Sequence, residues 1–425
     1  MRIKSLQLIN FRCFENLELE FSDRLTVILG INGSGKTTIL DALNFPLARF
    51  VMNLRKKAFM NYLYTKDVKN GANYCSIAFK VAIDNQVMTD EYDKRLINPK
   101  ETFTYQAGIL YKMITSPYQP FDKYLKEFKK KTIINLPVFV YSRSDMMENK
   151  LNPKYNEVIK QLLAYDDYVK PRLHDFHFFS NWFESLTNYE NATRLDGNPA
   201  YRNPQLQLIR QVLSFFMAQM HQSHFKDLRI KKSVQDETLF SLASSKLIIT
   251  KNNIDLDLMQ LSAGEKSLLL LVIDIAMRLA IANPSRENAL EGEGIILIDE
   301  IELHLHPQWQ RQIIPALMAT FPNCQFIVTT HSPQVVSQVK KENIIILDNN
   351  KIIQNVPFTY GKDSNTLLNE VFQTPERPIE IQKQLDRCFK LIDMEKWVEA
   401  KNALRDLAAI LGENDPEILR ANAML

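Results

Sequence analysis

The amino-acid sequence predicts an α/β fold with a β-rich N-terminal lobe, a mainly helical middle insertion, a second α/β lobe and a helical C-terminal tail. Apolar and polar residues alternate along 1–111, apolar residues recur every three or four positions along 112–260, and apolar strands alternate with helical patterns along 261–360. Helical patterns continue over 361–425. These four stretches are the predicted domains.

Composition and charge limit the classes of protein that the chain fits. Its 425 residues suffice for two or three domains, and 45% hydrophobic with 24% charged residues is ordinary for a globular protein. A net charge of +3 does not by itself indicate nucleic-acid binding. No apolar run is long enough to span a bilayer and the N-terminus lacks signal-peptide character, so we expect a cytoplasmic protein without a membrane partner. The scattered cysteines, expected to be free core thiols, are Cys13, Cys75, Cys324 and Cys388.

The N-terminal lobe contains a glycine-rich loop between a strand and a helix. Two alternating runs cover 2–21, and the apolar run 25–29 is typical of a buried strand. The next residues, "GINGSGKT" over 30–37, have the form G-x-x-x-x-G-K-[ST] and precede a helical pattern. Backbone N–H groups and a helix N-terminus attract phosphate oxygens, so this context predicts a phosphate-binding loop. Further alternating runs lie at 74–83 and 102–111.

Each residue type in this loop suits nucleotide binding. Lys36 would reach the β- and γ-phosphates as a catalytic cation, and the Thr37 hydroxyl would ligate Mg²⁺. A chance glycine turn is the alternative interpretation, which the flanking strand and helix make the weaker one. The loop residues predicted to bind ATP are Gly30, Asn32, Gly33, Ser34, Gly35, Lys36, Thr37 and Thr38.

The middle insertion mixes helical patterns with a few strands. A strand-like run at 136–142 interrupts the helices, and strands return before residue 261. Lysines and arginines cluster at 53–70 and 123–132, the latter with Tyr124 and Phe128 interleaved, which suits either backbone contacts to nucleic acid or a solvated helix face. The predicted helices cover 123–131, 153–169, 175–191 and 203–220, and the returning strands cover 225–232 and 246–251.

The second α/β lobe opens with "LSAGEKS" over 261–267, directly before a long helical pattern. Small residues before a helix leave its N-terminal amides available to an anion. Ser262 with Glu265 is equally a capping box at a helix start, so this motif alone leaves both interpretations open.

Two strand ends in this lobe carry candidate catalytic groups. In "GIILIDEIELHLHP" over 294–307, an apolar run ends in Asp299 and Glu300, at the strand end where α/β sheets present ligand groups. Asp299 would hold Mg²⁺, and Glu300 would orient or deprotonate the attacking water. The next apolar run ends in His331, which can touch the γ-phosphate and sense hydrolysis; a hydrogen-bonded structural histidine is the alternative.

His304 and His306 form an H-x-H pair that could bind zinc on a strand. No third ligand cluster or thiolate lies nearby in sequence, so we interpret the pair as part of a loop that crosses to a second subunit, with a zinc site as the alternative.

The ordered set "NFRCF", "GINGSGKT", "LSAGEKS", "LIDEIELHLHP" and "TTHSP" resembles the ABC-type ATPases of the SMC, RecF and overcoming-lysogenization-defect (OLD) group. The resemblance implies a P-loop ATPase head that binds ATP and Mg²⁺ and dimerises head to head. It also implies that Ser262, Gly264 and Glu265 belong to a signature motif that contacts the neighbouring subunit's ATP, and that Arg12 lies in a strand bordering the nucleotide.

Two features depart from that group. The strand-like run at 136–142 offers no glutamine to sense Mg²⁺, so that residue cannot be placed. The segment 38–260 lacks sustained heptads and a Cys-x-x-Cys hook, which excludes a chromosome-scale SMC protein.

The tracts 267–339 and 360–378, with the helical tail, resemble the PtuA family. These are ATPase subunits of Septu-type anti-phage defence, also found in retron systems, whose partner PtuB is an HNH nuclease. The resemblance implies an HNH nuclease partner, with DNA or a retron RNA–DNA complex as a further candidate.

We expect no nuclease site in this chain. OLD-type relatives append a nuclease domain that needs a glutamate and a D-x-D pair, and no D-x-D or H-N-H cluster follows His331. The pair Asp255 and Asp257 precedes the signature motif and has no separate domain around it.

The tail over 377–425 reads as three helices with breaks near Asp393 and around 412–416. Their apolar faces need a surface to cover, which is either the ATPase head or a partner, and we expect the tail to serve assembly. The face residues are Leu385, Phe389, Ile392, Trp397, Leu404, Leu407 and Leu411.

Three functional classes compete. The favoured one is an ATPase that controls a nuclease partner in phage defence, and the second is a RecF-like DNA-repair ATPase without such a partner. The third, the ATPase subunit of a membrane transporter, is disfavoured by the "NFRCF" run and the "HLHP" loop.

Overall fold

The computed structural model of the protein contains three sheets in the part of the chain that it describes. The described residues are 1–55, 63–83, 86–95, 134–143, 160–165, 176–221, 225–233 and 244–425. The strands are β1 (Arg2–Phe11), β2 (Phe14–Glu20), β3 (Leu25–Gly30), β4 (Tyr74–Ile83), β5 (Gln86–Arg95), β6 (Val138–Ser142), β7 (Phe225–Ser233), β8 (Ser244–Lys251), β9 (Ile254–Asp257), β10 (Gly294–Ile298), β11 (Cys324–Thr329), β12 (Ile344–Asp348) and β13 (Lys351–Ile353).

A six-stranded sheet in the order β13-β12-β3-β11-β10-β6 forms the centre of the larger unit. Its strands run parallel except for β13, and β3, β10 and β11 are buried along their whole length. Continuous apolar runs predict such strands, because helices or other sheets cover both faces of a parallel sheet. The predicted α/β fold class is confirmed.

The register of this sheet places several strand ends side by side. Ile298 of β10 pairs with Ser142 of β6 on one side and with Val328 of β11 on the other. The next residues, Asp299 and Thr329, therefore emerge at the same edge of the sheet. The catalytic groups predicted from the sequence lie at this edge.

The two other sheets are antiparallel. The order β2-β1-β4-β5 confirms the β-rich start of the chain, and β7-β8-β9 confirms the strands predicted at 225–232 and 246–251. The strand predicted at 102–111 lies outside the described residues.

Six α-helices belong to the described part of the larger unit. They are α1 (Lys36–Leu54), α2 (Phe176–Leu195), α3 (Pro204–Gln219), α4 (Ala263–Ala282), α5 (Pro307–Thr320) and α6 (Pro333–Val336). The helices predicted at 175–191 and 203–220 are confirmed as α2 and α3. Within the predicted helix 153–169, the described part Lys160–Tyr165 is a 3₁₀ helix, and the predicted helix 123–131 lies outside the described residues.

The chain divides into two compact units, residues 1–362 and 363–425. The first three predicted stretches all contribute strands to the central sheet: β3 from the first, β6 from the second and β10 to β13 from the third. The boundaries predicted between these stretches therefore fall inside one compact unit, and their division into domains stays a prediction.

The second unit is a small helical bundle with its own core. Its helices are α7 (Ser364–Glu370), α8 (Ile379–Asp393), α9 (Trp397–Leu411) and α10 (Pro416–Met424), which confirms the three helices predicted after residue 377. Leu385, Ile392, Leu404 and Leu407 are buried against one another, and Trp397 remains 44% exposed. The expectation that these faces need an external surface was wrong for most of them, because the three helices cover each other's apolar sides.

Two predictions from composition can be compared with the structure. The cysteines are free; Cys13 is half-buried and the others are buried. Among the described helices, none combines the length and the apolar character that crossing a membrane requires.

Candidate nucleotide-binding site

The phosphate loop connects the buried strand β3 to helix α1, as predicted. Gly35 has φ +97°, and a Cβ there would lie 2.3 Å from the Phe14 ring, so a side chain would meet both backbone strain and a clash. Asn32 and Gly33 are exposed at the tip of the loop, while Ser34 is buried. The loop therefore offers its backbone to a ligand at the N-terminus of α1, which begins at Lys36 and continues with Thr37 and Thr38.

Two buried groups in the loop fit a phosphate. The Lys36 ammonium donates to the carbonyl oxygens of Gly30 at 2.9 Å and Ile31 at 3.0 Å, and burial lowers the pKa of Lys36 despite nearby carboxylates. The Ser34 hydroxyl is buried and has no hydrogen-bond partner among the described residues. A phosphate oxygen would satisfy the hydroxyl and favour the charged lysine, so the loop fits a nucleotide phosphate.

Thr37, Asp299 and Thr329 form a chain of hydrogen bonds at the edge of the sheet. The Thr37 hydroxyl donates to Asp299 Oδ2 at 2.8 Å, and the Thr329 hydroxyl donates to Asp299 Oδ1 at 2.6 Å. Hydroxyl and carboxylate oxygens are the ligands that Mg²⁺ prefers, so the donors present fit the predicted metal. Within the described residues, no group of three or more His, Cys, Asp or Glu side chains forms a separate metal cluster.

Glu300 follows Asp299 in a left-handed conformation, with φ +52°. Its N–H donates to the Thr329 hydroxyl at 2.8 Å, so one threonine side chain contacts both acidic residues. Such a φ costs a non-glycine residue of order 1–3 kcal/mol and persists only where the surroundings hold it. The geometry fixes the backbone that presents the predicted water-orienting carboxylate.

His331 lies just beyond β11 and is held by Glu302. The His331 N–H donates to Glu302 Oε1 at 2.7 Å, and the Thr330 hydroxyl donates to Glu302 Oε2 at 2.6 Å. Burial and the nearby Lys36 ammonium lower the pKa of His331, against the opposing effects of Glu302 and Asp299. His331 therefore interacts electrostatically with Lys36 of the phosphate loop, and its role as a switch residue stays a prediction.

Sequence reasoning missed Thr329 and Glu302, although both flank predicted residues. The only available signal was position: Thr329 ends a buried strand, and Glu302 lies three residues after Asp299. Neither position by itself predicts a contact across 28 to 30 residues of sequence.

Arg12 lies in the turn between β1 and β2, with φ +50°, so its predicted place in a strand is wrong. The chain reverses direction here, and the side chain bonds Asp41 at 2.6 Å and Asp67 at 2.9 Å. Burial opposes the charge of Arg12, but the two carboxylates outweigh that effect and raise its pKa. Among the described residues, no hydrogen bond or ion pair joins Arg12 to the phosphate loop, so its role in ATP binding stays a prediction.

Asp41, on α1 one turn beyond Thr37, also connects this helix to the end of β6. It accepts from the Tyr141 hydroxyl at 2.7 Å and from the Arg143 guanidinium at 3.1 Å. No glutamine stands at this strand end, where β6 finishes with Ser142 and Arg143 follows. Both line a cavity of about 100 Å³ together with Asp299 and Glu300.

The predicted signature residues lie at the start of α4. Ser262 caps the helix and forms a capping box with Glu265, whose carboxylate also pairs with Lys251 at 2.5 Å. In the described structure, no hydrogen bond or ion pair joins Ser262, Gly264 or Glu265 to the phosphate loop. The capping interpretation is confirmed, and contact with a second subunit's nucleotide stays a prediction.

Gly264 packs against the loop that follows Glu302. A Cβ on Gly264 would lie 2.3 Å from the His304 carbonyl oxygen, so only a glycine permits this approach. His304 itself has φ +63°, which makes the loop a constrained turn. The signature helix and the loop after the acidic pair are therefore in direct backbone contact.

Other candidate residues have structural partners. His306 caps α5 by accepting from the Gln308 N–H, so His304 and His306 lie in a turn and a cap instead of on a strand. Asp255 bonds Arg229 and Thr250, and Asp257 caps the turn that follows β9. Most of the basic segment 53–70 is described, but 56–62 and the whole of 123–132 lie outside the described residues.

Known proteins share this sequence pattern. Residues 2–354 match the family described as the RecF/RecN/SMC N terminal domain. The chain is 31% identical to the Retron Ec83 probable ATPase of Escherichia coli, over 97% of this chain and 84% of that protein. It is 24% identical to the Septu protein PtuA of Bacillus thuringiensis, over 81% of this chain and 75% of that protein.

Among solved structures, the SMC head bound to the C-winged helix domain of ScpA is 16% identical, with a TM-score of 0.46 and coverage of 83% of this chain and 97% of that one. The resemblance predicted from the motifs is confirmed by the family match and the curated relatives. The chain belongs to the RecF/RecN/SMC family: it is an SMC/RecF-like ABC ATPase, and it resembles PtuA.

Proposed function

We propose that the protein binds and hydrolyses ATP at the sheet edge where Thr37, Asp299, Thr329 and Glu300 meet beside Lys36. The observation that carries this proposal is the hydrogen-bonded chain from the Thr37 hydroxyl through Asp299 and Thr329 to the Glu300 backbone. It joins three elements that are far apart in sequence at the N-terminus of a helix, where phosphate binds.

Each residue of the site has its own role in ATP binding or hydrolysis. The loop amides and Lys36 bind the phosphates, and Lys36 exchanges its two carbonyl partners for phosphate oxygens. Thr37 and Asp299 would hold Mg²⁺, which would supply charge neutralisation for the phosphates when bound. Glu300 orients the water and accepts its proton, and His331 contacts the γ-phosphate side of the site.

We propose that two copies of this ATPase head dimerise and that each contributes residues to the ATP site of the other. Support comes from the match to the RecF/RecN/SMC family, in whose ATPases the signature motif of one head contacts the nucleotide of another. Ser262, Gly264 and Glu265 would close on the partner's nucleotide, and the 303–306 loop would cross between heads.

The biological role that we propose is control of a separate HNH nuclease in anti-phage defence. The similarity to a retron ATPase and to PtuA supports it. A RecF-like role in DNA repair without a nuclease partner is the other outcome, and affinity for gapped DNA without a stable partner would favour it.

Two variants test the ATPase. Glu300→Gln should keep ATP affinity and slow hydrolysis by ~10²–10⁴-fold, because only the general base is lost. Lys36→Ala should lose affinity for ATP. Equal turnover by Glu300→Gln and the wild-type protein would contradict the assigned chemistry.

A mixing experiment tests shared sites. Ser262→Arg should abolish turnover but leave ATP binding to a single head intact, and adding Lys36→Ala protein should restore part of the activity through hybrid sites. Failure to recover activity in mixtures that exchange subunits would argue against sharing.

The tail is tested by assembly. Because residues 363–425 have their own core, a chain ending at 362 should fold and bind ATP. We propose that it fails to form the complex with the co-expressed nuclease, measured by light scattering after size exclusion. Normal assembly of the shortened chain would exclude an assembly role for the tail.

A further inference from the structure

Glu302 makes two hydrogen bonds to the segment that contains the switch histidine. Its Oε1 accepts the His331 N–H at 2.7 Å, and its Oε2 accepts the Thr330 hydroxyl at 2.6 Å. Thr330 is fully buried, and its hydroxyl also accepts the Ser332 N–H at 3.1 Å. Both oxygens of one carboxylate thus fix the backbone and the side chain of consecutive residues, which restricts the segment more than a single bond would.

The same glutamate begins the loop that touches the signature helix. Two residues after Glu302, the His304 carbonyl lies so close to Gly264 that a Cβ there would approach to 2.3 Å. The Leu305 N–H donates back to the Glu302 carbonyl at 2.9 Å, which makes the loop a compact turn. A displacement of the histidine segment would therefore be transmitted through Glu302 and this turn to the start of α4.

We propose that Glu302 is a positioning residue that fixes His331 beside the phosphate site and couples its position to the signature helix. This inference rests on the proposed ATPase function. Glu302 does not need to touch the nucleotide: it acts through Thr330 and His331 on one side and through the 303–305 turn on the other.

The charge of Glu302 gives the proposal a distinctive consequence. Its carboxylate is one of three, with Asp299 and Glu300, that interact electrostatically with Lys36. Replacing it by glutamine removes a negative charge near the phosphate position, so ATP binding should not weaken. It also leaves only one acceptor for two donors, so the histidine segment should lose its fixed position.

The test compares Glu302→Gln with Glu287→Gln, which removes the same charge from an exposed position. Turnover is measured against ATP concentration, and affinity is measured separately with a fluorescent ATP analogue. We expect Glu302→Gln to lower kcat about 10- to 100-fold, the size expected for one charge-assisted hydrogen bond, and to leave the affinity unchanged or higher. Glu287→Gln should match the wild-type protein.

Variants of Thr330 test the same contact from its other side, and they remain informative even if Glu302→Gln folds poorly. Thr330→Ser keeps the hydroxyl and should retain most turnover, whereas Thr330→Val should resemble Glu302→Gln. In the double variant, the loss should be clearly smaller than the product of the two single losses, because both remove the same contact.

Three results would contradict the positioning role of Glu302. A kcat of Glu302→Gln equal to that of Glu287→Gln, multiplicative losses in the double variant, or equal turnover by Thr330→Val and Thr330→Ser would overturn the role of Glu302. These outcomes are distinct from failure of the proposed function, in which the wild-type protein itself would show no ATP hydrolysis that depends on Glu300.

Discussion

Thr329→Val removes one buried hydroxyl and tests how the acidic pair is held. The hydroxyl donates to Asp299 at 2.6 Å and accepts the Glu300 N–H at 2.8 Å, and Thr329 is fully buried. Valine has nearly the same shape, so packing is preserved and the two hydrogen bonds are what is lost. The isosteric change therefore isolates the polar contribution.

The loss of stability in Thr329→Val can be estimated from the two hydrogen bonds that the Thr329 hydroxyl makes. The bond to the Asp299 carboxylate is charge-assisted and contributes about 1.5–3 kcal/mol, and the bond from the Glu300 amide contributes about 0.5–1.5 kcal/mol. The two lost hydrogen bonds together should lower the free energy of unfolding by roughly 2–4.5 kcal/mol, before any relief of backbone strain at Glu300. Without its bond to Thr329, Glu300 can leave its left-handed conformation, which relieves strain of about 1–3 kcal/mol and misplaces the carboxylate. Turnover should then fall by at least about tenfold.

The assay pairs denaturant unfolding with steady-state hydrolysis at several Mg²⁺ concentrations. Thr329→Ser is the matched control, because it keeps the hydroxyl and loses only a methyl group, which contributes about 1 kcal/mol. Thr329→Val should be less stable than Thr329→Ser and should require more Mg²⁺, since the Asp299 carboxylate loses a hydrogen bond that orients it. If the valine and serine variants had the same stability and Mg²⁺ requirement, the hydroxyl would not hold the acidic pair.

Two further predictions concern packing and pH. Gly264→Ala places a Cβ 2.3 Å from the His304 carbonyl oxygen, so α4 or the 303–305 turn must shift. ATP turnover should therefore fall, while ATP affinity should stay close to the wild-type value. An unchanged turnover would disprove this contact. In the tail, hydrogen bonds from Arg377 lower the pKa of Asp415 in the folded protein. This pair therefore stabilises the bundle fully at pH values above the unfolded-state pKa of about 4. The stabilisation is lost as the pH falls through the lower folded-state pKa. The difference in thermal stability between the wild-type protein and Asp415→Asn should therefore shrink in acid, and a gap that stays constant with pH would contradict the assignment.

The sequence predicted the local parts of the site because each depends on neighbouring residues. The run 25–37 contains its own strand, turn and helix start, so periodicity and glycine placement suffice to predict a phosphate loop. Ser262 and Glu265 likewise form a capping box within four residues. The apolar run before Asp299 predicted a buried strand whose carboxyl end carries the acids.

Contacts across the sheet required the tertiary structure. Thr37 meets Asp299 from 262 residues away, and Asp41 binds Arg12 from one distant segment and Tyr141 and Arg143 from another. Strand order and register decide these contacts, and periodicity contains neither. The family resemblance placed Arg12 in a strand, but the folded backbone turns at this residue, between the two strands that alternation predicted.

The tail shows most plainly which features the sequence predicts and which features require the tertiary structure. An amphipathic pattern shows that a helix has an apolar face to cover, since water disfavours exposed apolar area, but the pattern is the same whatever covers it. Here α8, α9 and α10 cover one another, with Leu385, Leu404 and Ile418 in one cluster. The sequence by itself determined that these helices form and which sides are apolar; only the tertiary structure decided that they pack together, because helix packing depends on how the intervening turns direct the chain.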